Sequence, residues 1–272
     1  QNANGDVEEQ ISQIEYFIKK QVDVIVVVAG DCEALSDVMI KAREAGIKTV
    51  SYDRLIQNAG CDLYISFDNT EVGRLMARSL LENIPDGGDI FLIQGPLTDH
   101  NVTLVREGID ETLAGSSLSV VYESNCAGWV AENAYTYTKE GLKQDRYVKG
   151  IICGNDDLAS QAFRALSEER LAGKVYVTGQ DGDLAACQRI VEGTQEMTAF
   201  KSVEQEASMA AKCAVLLGLG EEIEEARSTA YDGTYQVPYL ELQPIAVTGE
   251  NMDEVIIKGG FHAKEDVYLN VN

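Results

Sequence analysis

The sequence predicts an α/β protein built as two doubly wound parallel-sheet lobes joined by a hinge that the chain crosses several times. Short apolar runs alternate with helical patterns almost from end to end, the signature of parallel strands linked by crossover helices. The chain has 272 residues, enough for two cores of ordinary domain size. About eight strands is also a large number for one open sheet with short connections.

Asp6, an N-cap with Glu9 three residues on, opens a helix whose Val7, Ile11, Ile14 and Ile18 share one face. The run 22–28, almost all valine and isoleucine, reads as a strand covered on both faces and paired on both edges. A helix over 33–45 closes at Gly46, strands follow over 47–52 and 63–67, and a helix over 70–83 ends before Pro85. The beat repeats with strands over 90–93, 119–122, 150–153, 175–178 and 197–200, most of them followed by a helical pattern, including one over 131–137. The acidic stretch 221–225 breaks the rhythm and reads as a solvated loop. No Gly/Ser-rich or Pro-rich linker separates the lobes, so crossings are placed near Phe67, Lys201 and Pro244. One lobe then holds 1–67 plus 202–243, and the other 68–201 plus 244–272. The first lobe would rest on the strands 22–28, 47–52 and 63–67 alone, with one apolar edge open to another strand.

Composition removes several function classes. Forty-five acidic against 22 basic residues give a formal charge of −23, which repels phosphate backbones, so nucleic acid is not an expected partner. The longest apolar runs fall far short of the roughly 20 residues a membrane span needs. Six cysteines lie far apart without a C-x-x-C pair and read as buried thiols, and two histidines are too few for a histidine metal cluster. No G-x-G-x-x-G, G-x-x-x-x-G-K or G-x-S-x-G motif follows a strand, so neither a cofactor nor a catalytic serine is expected.

In an open parallel sheet, ligands bind beyond the carboxyl ends of the strands. Asp53 and Arg54 follow the strand 47–52; Asp99, His100 and Asn101 lie beyond 90–93; Asn155 and Asp156 follow 150–153; Asp181 follows 175–178; and Lys201 follows 197–200. Carboxylates accept, guanidinium and ammonium donate and amides do both, a set that suits adjacent hydroxyls of a polyol. Trp129, the one tryptophan, could stack on the apolar face of a sugar ring. Each residue also has a plainer reading. Asp156 and Asp183 read first as helix caps or turn formers, Asp53 and Arg54 equally as a salt bridge, His100 as a loop residue, Trp129 as a packed aromatic and Lys201 as a marker of a lobe crossing. Their shared position after strand ends favours a site.

The motifs Ser51-Tyr52-Asp53-Arg54, Tyr64-Ile65-Ser66-Phe67-Asp68-Asn69, Gly154-Asn155-Asp156, Gly179-Gln180-Asp181-Gly182-Asp183-Leu184-Ala185, Met197-Thr198-Ala199-Phe200-Lys201 and Gly260-Phe261-His262 run in order along nearly the whole chain. By these the sequence resembles the D-xylose-binding members of the type I periplasmic binding proteins, the ribose-binding-like superfamily. The resemblance implies a hinged, extracytoplasmic clamp, in the periplasm or on the cell surface as a lipoprotein, that holds D-xylose or a related monosaccharide between two lobes. It implies that Asp53 and Arg54 hold sugar hydroxyls from one lobe and Asp99, Asn101, Asn155 and Asp181 from the other, with Lys201 at the hinge and Trp129 on the ring. The implied partner is an ABC permease, or the extracytoplasmic domain of a sensor kinase or chemoreceptor. His100 departs from the Asn of the family pattern. The family pattern also places a strand, a helix and a second strand ahead of Gln1, bearing an Arg and an aromatic residue for the sugar, and either these or a partner polypeptide would complete the edge at 22–28. Two other classes share features with the chain: the effector core of a LacI-type repressor, disfavoured by the negative charge and the missing helix-turn-helix, and a sugar-processing enzyme using paired carboxylates such as Asp53 and Asp99.

Overall fold

A computed structural model of the chain describes residues 1–271. The chain divides into two compact units: Gln1–Asp68 with Thr98–Asn101 and Ser202–Gln243, and Asn69–Leu97 with Val102–Lys201 and Pro244–Asn272. The short segment Thr98–Asn101, read from sequence as part of the second lobe, groups with the first unit.

The first unit carries a five-stranded sheet of order β1-β2-β3-β10-β9. Its strands are β1 (Val24–Val27), β2 (Lys48–Tyr52), β3 (Leu63–Phe67), β9 (Ser228–Tyr231) and β10 (Gln236–Leu242). β1, β2, β3 and β10 run parallel, and β9 returns antiparallel along β10. Helices α1 (Val7–Lys20) and α2 (Ser36–Glu44) belong to this unit, as does α8 (Val203–Leu219). One face of the sheet buries Ile25, Val27 and Tyr64 with Leu35 and Met39, and the other buries Val50, Ile65 and Phe67 with Ala210 and Cys213 of α8. Helix α1 starts where its sequence says it should, with the Asp6 carboxylate accepting Glu9 N–H at 3.1 Å and Gln21 ending it in the left-handed conformation.

Two expectations change here. The hairpin β9–β10 enlarges a sheet that the sequence pattern credits with three strands. Its strands are mostly exposed on one side, and Pro238 sits inside β10, so the hydrophobic signal is weak. β1, in turn, is not covered on both faces. Val26 and Val28 are 43% and 47% exposed, although the open edge itself is as expected, since within the described residues β1 pairs with β2 alone.

The second unit holds a six-stranded sheet of order β11-β8-β7-β6-β4-β5. The strands are β4 (Gly88–Gln94), β5 (Leu118–Asn125), β6 (Gly150–Cys153), β7 (Tyr176–Gln180), β8 (Met197–Phe200) and β11 (Ile245–Val247). All are parallel except β11, which runs antiparallel to β8. Helices α3 (Asn69–Asn83) and α4 (His100–Leu113) pack on one face, while α5 (Glu132–Gln144) and α6 (Asp156–Glu168) pack on the other. Helix α7 (Leu184–Val191) and the short C-terminal α9 (Lys264–Val267) enclose a further cluster around Phe200 and Met252. The strand order reverses between β4 and β6, since β5 lies outside β4 and β6 to β8 lie on its other side. Such a reversal leaves a crevice at the strands' carboxyl ends. Among the described residues no helix is long and apolar enough to cross a membrane, and the six cysteines are all buried and free.

Candidate functional site

In the first unit, four of the predicted residues meet beyond the carboxyl ends of β2 and β3. The Asp53 N–H donates to Ile65 O at 2.8 Å, closing β2 against β3. Its own carbonyl accepts Ser66 Oγ at 2.7 Å and Asn101 Nδ2 at 3.0 Å. Asp53 is held at a φ of 62°, a conformation that Asp and Asn tolerate better than most residues. Arg54 reaches from the next position to three groups: Nε lies 2.9 Å from Asp99 Oδ2 and 3.6 Å from Asp53 Oδ2, and Nη1 donates to Ala29 O at 3.0 Å. The approach to Asp99 is an ion pair by distance, although Nε is not aligned for a hydrogen bond. The Asp99 side chain is only 3% exposed, and its Oδ1 accepts Asn101 N–H at 3.1 Å. Asn101 Oδ1 is a buried acceptor with no hydrogen-bond partner. Close by, burial pushes the Cys32 thiol up to about 12, which leaves it uncharged and inert. A groove of about 410 Å³ follows the open edge of β1 instead, and Arg54 is the one predicted residue on its wall.

In the second unit, the remaining four sit beyond β8, β7, β6 and β4, neighbours in the sheet. Lys201, with a side chain 13% exposed, lies 3.4 Å through Nζ from Asp181 Oδ1. Asp181 is at a φ of 98°. Asn155 caps α6, its Oδ1 accepting Leu158 N–H at 2.9 Å. Trp129 ends a single 3-10 turn, Ala127–Trp129, at a φ of 58°, which is unusual for so bulky a residue and fits a functional constraint. Its indole lies against the backbone of Gly95, where an added Cβ would fall 2.3 Å from the ring. Glycine at that position is what lets the ring come down beyond β4.

The sequence reading assigned no site role to two glutamines and read the caps differently. Gln94 and Gln180, at the carboxyl ends of β4 and β7, are nearly fully buried, and the Oε1 of each lacks a hydrogen-bond partner. Glutamine inside an apolar strand was the available signal. Asp156 is not the cap of α6, because Asn155 takes that role; it lies fully buried beneath the turn after β7. Asp183 occupies the N-cap position of α7 without a side-chain capping bond, and burial raises its carboxyl above the usual range. His262 places Nε2 2.8 Å from Gly182 O. No group of three or more His, Cys, Asp or Glu among the described residues is arranged to hold a metal ion.

Residues 1–222 match the family described as periplasmic binding protein domain. The D-xylose-binding periplasmic protein of Haemophilus influenzae is 43% identical, over 98% of this chain and 82% of the relative. Its Escherichia coli counterpart is 39% identical over the same shares. Among solved structures, an ABC transporter solute binding protein from Clostridium phytofermentans with bound beta-D-glucose matches at a TM-score of 0.88 and 25% identity, covering 98% of this chain and 89% of that one. A carbohydrate transporter solute binding protein from Chloroflexus aurantiacus, in complex with D-glucose, matches at 0.87 and 26%, covering 96% and 86%.

Proposed function

The chain belongs to the periplasmic binding protein domain family, and from that membership we propose that it is an extracytoplasmic binding protein for a monosaccharide, D-xylose foremost. It captures the sugar unchanged and delivers it to a membrane permease of the ABC type. The observation that carries this reading is chemical. Carboxylates, a guanidinium and an amide gather at strand ends in the first unit, and a carboxylate, an ammonium and an amide in the second, while Asn101 Oδ1, Gln94 Oε1 and Gln180 Oε1 are buried acceptors without partners. Buried acceptors of this kind call for donors, and sugar hydroxyls supply them. Asp53, Arg54, Asp99 and Asn101 would hold hydroxyls from the first unit. Asn155, Asp181 and Lys201 would do so from the second, with Trp129 against the ring face.

Trp129 reports on the proposal directly, since it is the one tryptophan in the chain. D-xylose is expected to shift or quench its emission saturably. Emission that ignores xylose while calorimetry records binding would remove Trp129 from the site.

A further inference from the structure

Asp156 follows the Asn155 cap, and its side chain turns inward, where the residue is fully buried. Four donors converge on its carboxylate. Oδ2 accepts the Thr198 hydroxyl at 2.7 Å, Gly182 N–H at 3.0 Å and Asp183 N–H at 3.1 Å, while Oδ1 accepts Gln195 Nε2 at 3.0 Å. Gln195 Oε1 in turn accepts Arg189 Nε at 2.9 Å, so one amide ties a buried guanidinium to a buried carboxylate. Gly179 in β7 leaves the room for this, because a Cβ there would fall 2.3 Å from Asp156 Oδ1.

Two of those donors belong to the residues directly after Asp181. A φ of 98° at a non-glycine residue is costly and persists only where its surroundings impose it. The surroundings here are specific. Asp181 N–H donates to Ala199 O at 3.0 Å, and Gly182 N–H is shared between Asp156 Oδ2 and Thr198 Oγ1. We propose that Asp156 is a positioning residue for the sugar site: its carboxylate holds the turn 181–183 by the N–H groups of Gly182 and Asp183, and so presents Asp181 to the ligand. The inference rests on the reading of Asp181 as a sugar contact.

The hold depends on charge. Hydrogen bonds to an ionised acceptor are about twice as strong as neutral ones, so protonating Asp156 loosens its grip on the turn. Burial pushes this carboxyl up to about 7, with the neighbouring Asp181 adding to the rise and Thr198, Gln195 and the Asp183 N–H opposing it. The charged and titratable groups that face it are Asp181, Asp183, Arg189, Cys153 and Cys187, with His262 across the turn on Gly182 O. Sugar affinity therefore rises as pH climbs through neutrality and Asp156 ionises.

Two measurements on the full chain test this. In ligand-free protein, the NMR amide resonances of Gly182 and Asp183 are expected to titrate together near pH 7, and Asp156→Asn is expected to abolish the step. In calorimetric titrations with D-xylose, wild-type affinity is expected to increase by about tenfold from acid to alkaline side, the scale of one charge-assisted hydrogen bond. Asp156→Asn is expected to bind weakly and without that slope. Thr198→Val, which removes the hydroxyl between Asp156 and Gly182 N–H, should weaken binding by a few-fold and move the midpoint upward, and Thr198→Ser, which returns the hydroxyl, should restore both. Asp183→Asn and His262→Gln should keep the step. Wild-type binding that is insensitive to pH, together with Thr198→Val matching wild type, overturns the proposal alone. A wild type that binds no monosaccharide at any pH overturns the sugar reading and the proposal with it.

Discussion

Replacing Asp53 or Asp181 by alanine would change two things at once, because both backbones lie at positive φ and alanine is strained there. Asparagine tolerates that conformation and removes only the charge. Asp53→Asn and Asp181→Asn are each expected to weaken xylose binding by ~1.5–3 kcal/mol, the range for hydrogen bonds to charged groups. Asp62→Asn, at the other end of the sheet on Lys48 and Thr49, should leave binding unchanged in the same titration. Asp156 makes a separate prediction about stability. Its carboxyl stands at about 7 in the folded chain against an ordinary 3.8, so the fold binds this proton more tightly than the unfolded chain does. The contribution is complete at acid pH below the ordinary value and is lost as pH rises through about 7. Denaturant midpoints should show this fall between about pH 4 and pH 7 in wild type, and a flatter profile in Asp156→Asn. The polar residues after strands were legible in the sequence as a class. The division of labour within Asn155-Asp156 was not, since which neighbour caps the helix and which turns inward is decided by β7 and β8, remote in sequence.

Helices α3 and α4 meet through glycine. A Cβ on Gly73 would fall 2.0 Å from Val105 O, and one on Gly108 would fall 1.9 Å from Thr70 O. Both obstacles are backbone, which no rotamer change can relieve, so either alanine substitution forces the helices apart. Gly73→Ala is expected to cost ~1–3 kcal/mol, as overpacking does, read as a lower thermal midpoint. An unchanged midpoint would mean that the helices can separate freely. Elements with strong hydrophobic periods, such as α1 and β3, were readable from the chain. The hairpin β9–β10 was not, because most of β9 and three residues of β10 are exposed and Pro238 interrupts the pattern. β1 misled in one respect: five consecutive valines and isoleucines promised burial on both faces, whereas Val26 is exposed; its open edge, with β2 as its one partner among the described residues, agrees with the sequence reading.

At the scale of the whole molecule, a formal charge of −23 disfavours anionic ligands and costs nothing for a neutral sugar. A ligand that binds only the folded chain raises its stability by mass action, ~2.7 kcal/mol at one hundred times its dissociation constant. Xylose should therefore raise the thermal midpoint in step with its affinity. The central claim, that the chain captures a monosaccharide and releases it unaltered, is tested most directly by calorimetric titration with D-xylose followed by recovery of the sugar. Saturable binding of one xylose per chain, with the sugar recovered intact, is the predicted result. No heat and no thermal shift with xylose or with a panel of other pentoses and hexoses, or recovery of a converted product, would contradict it.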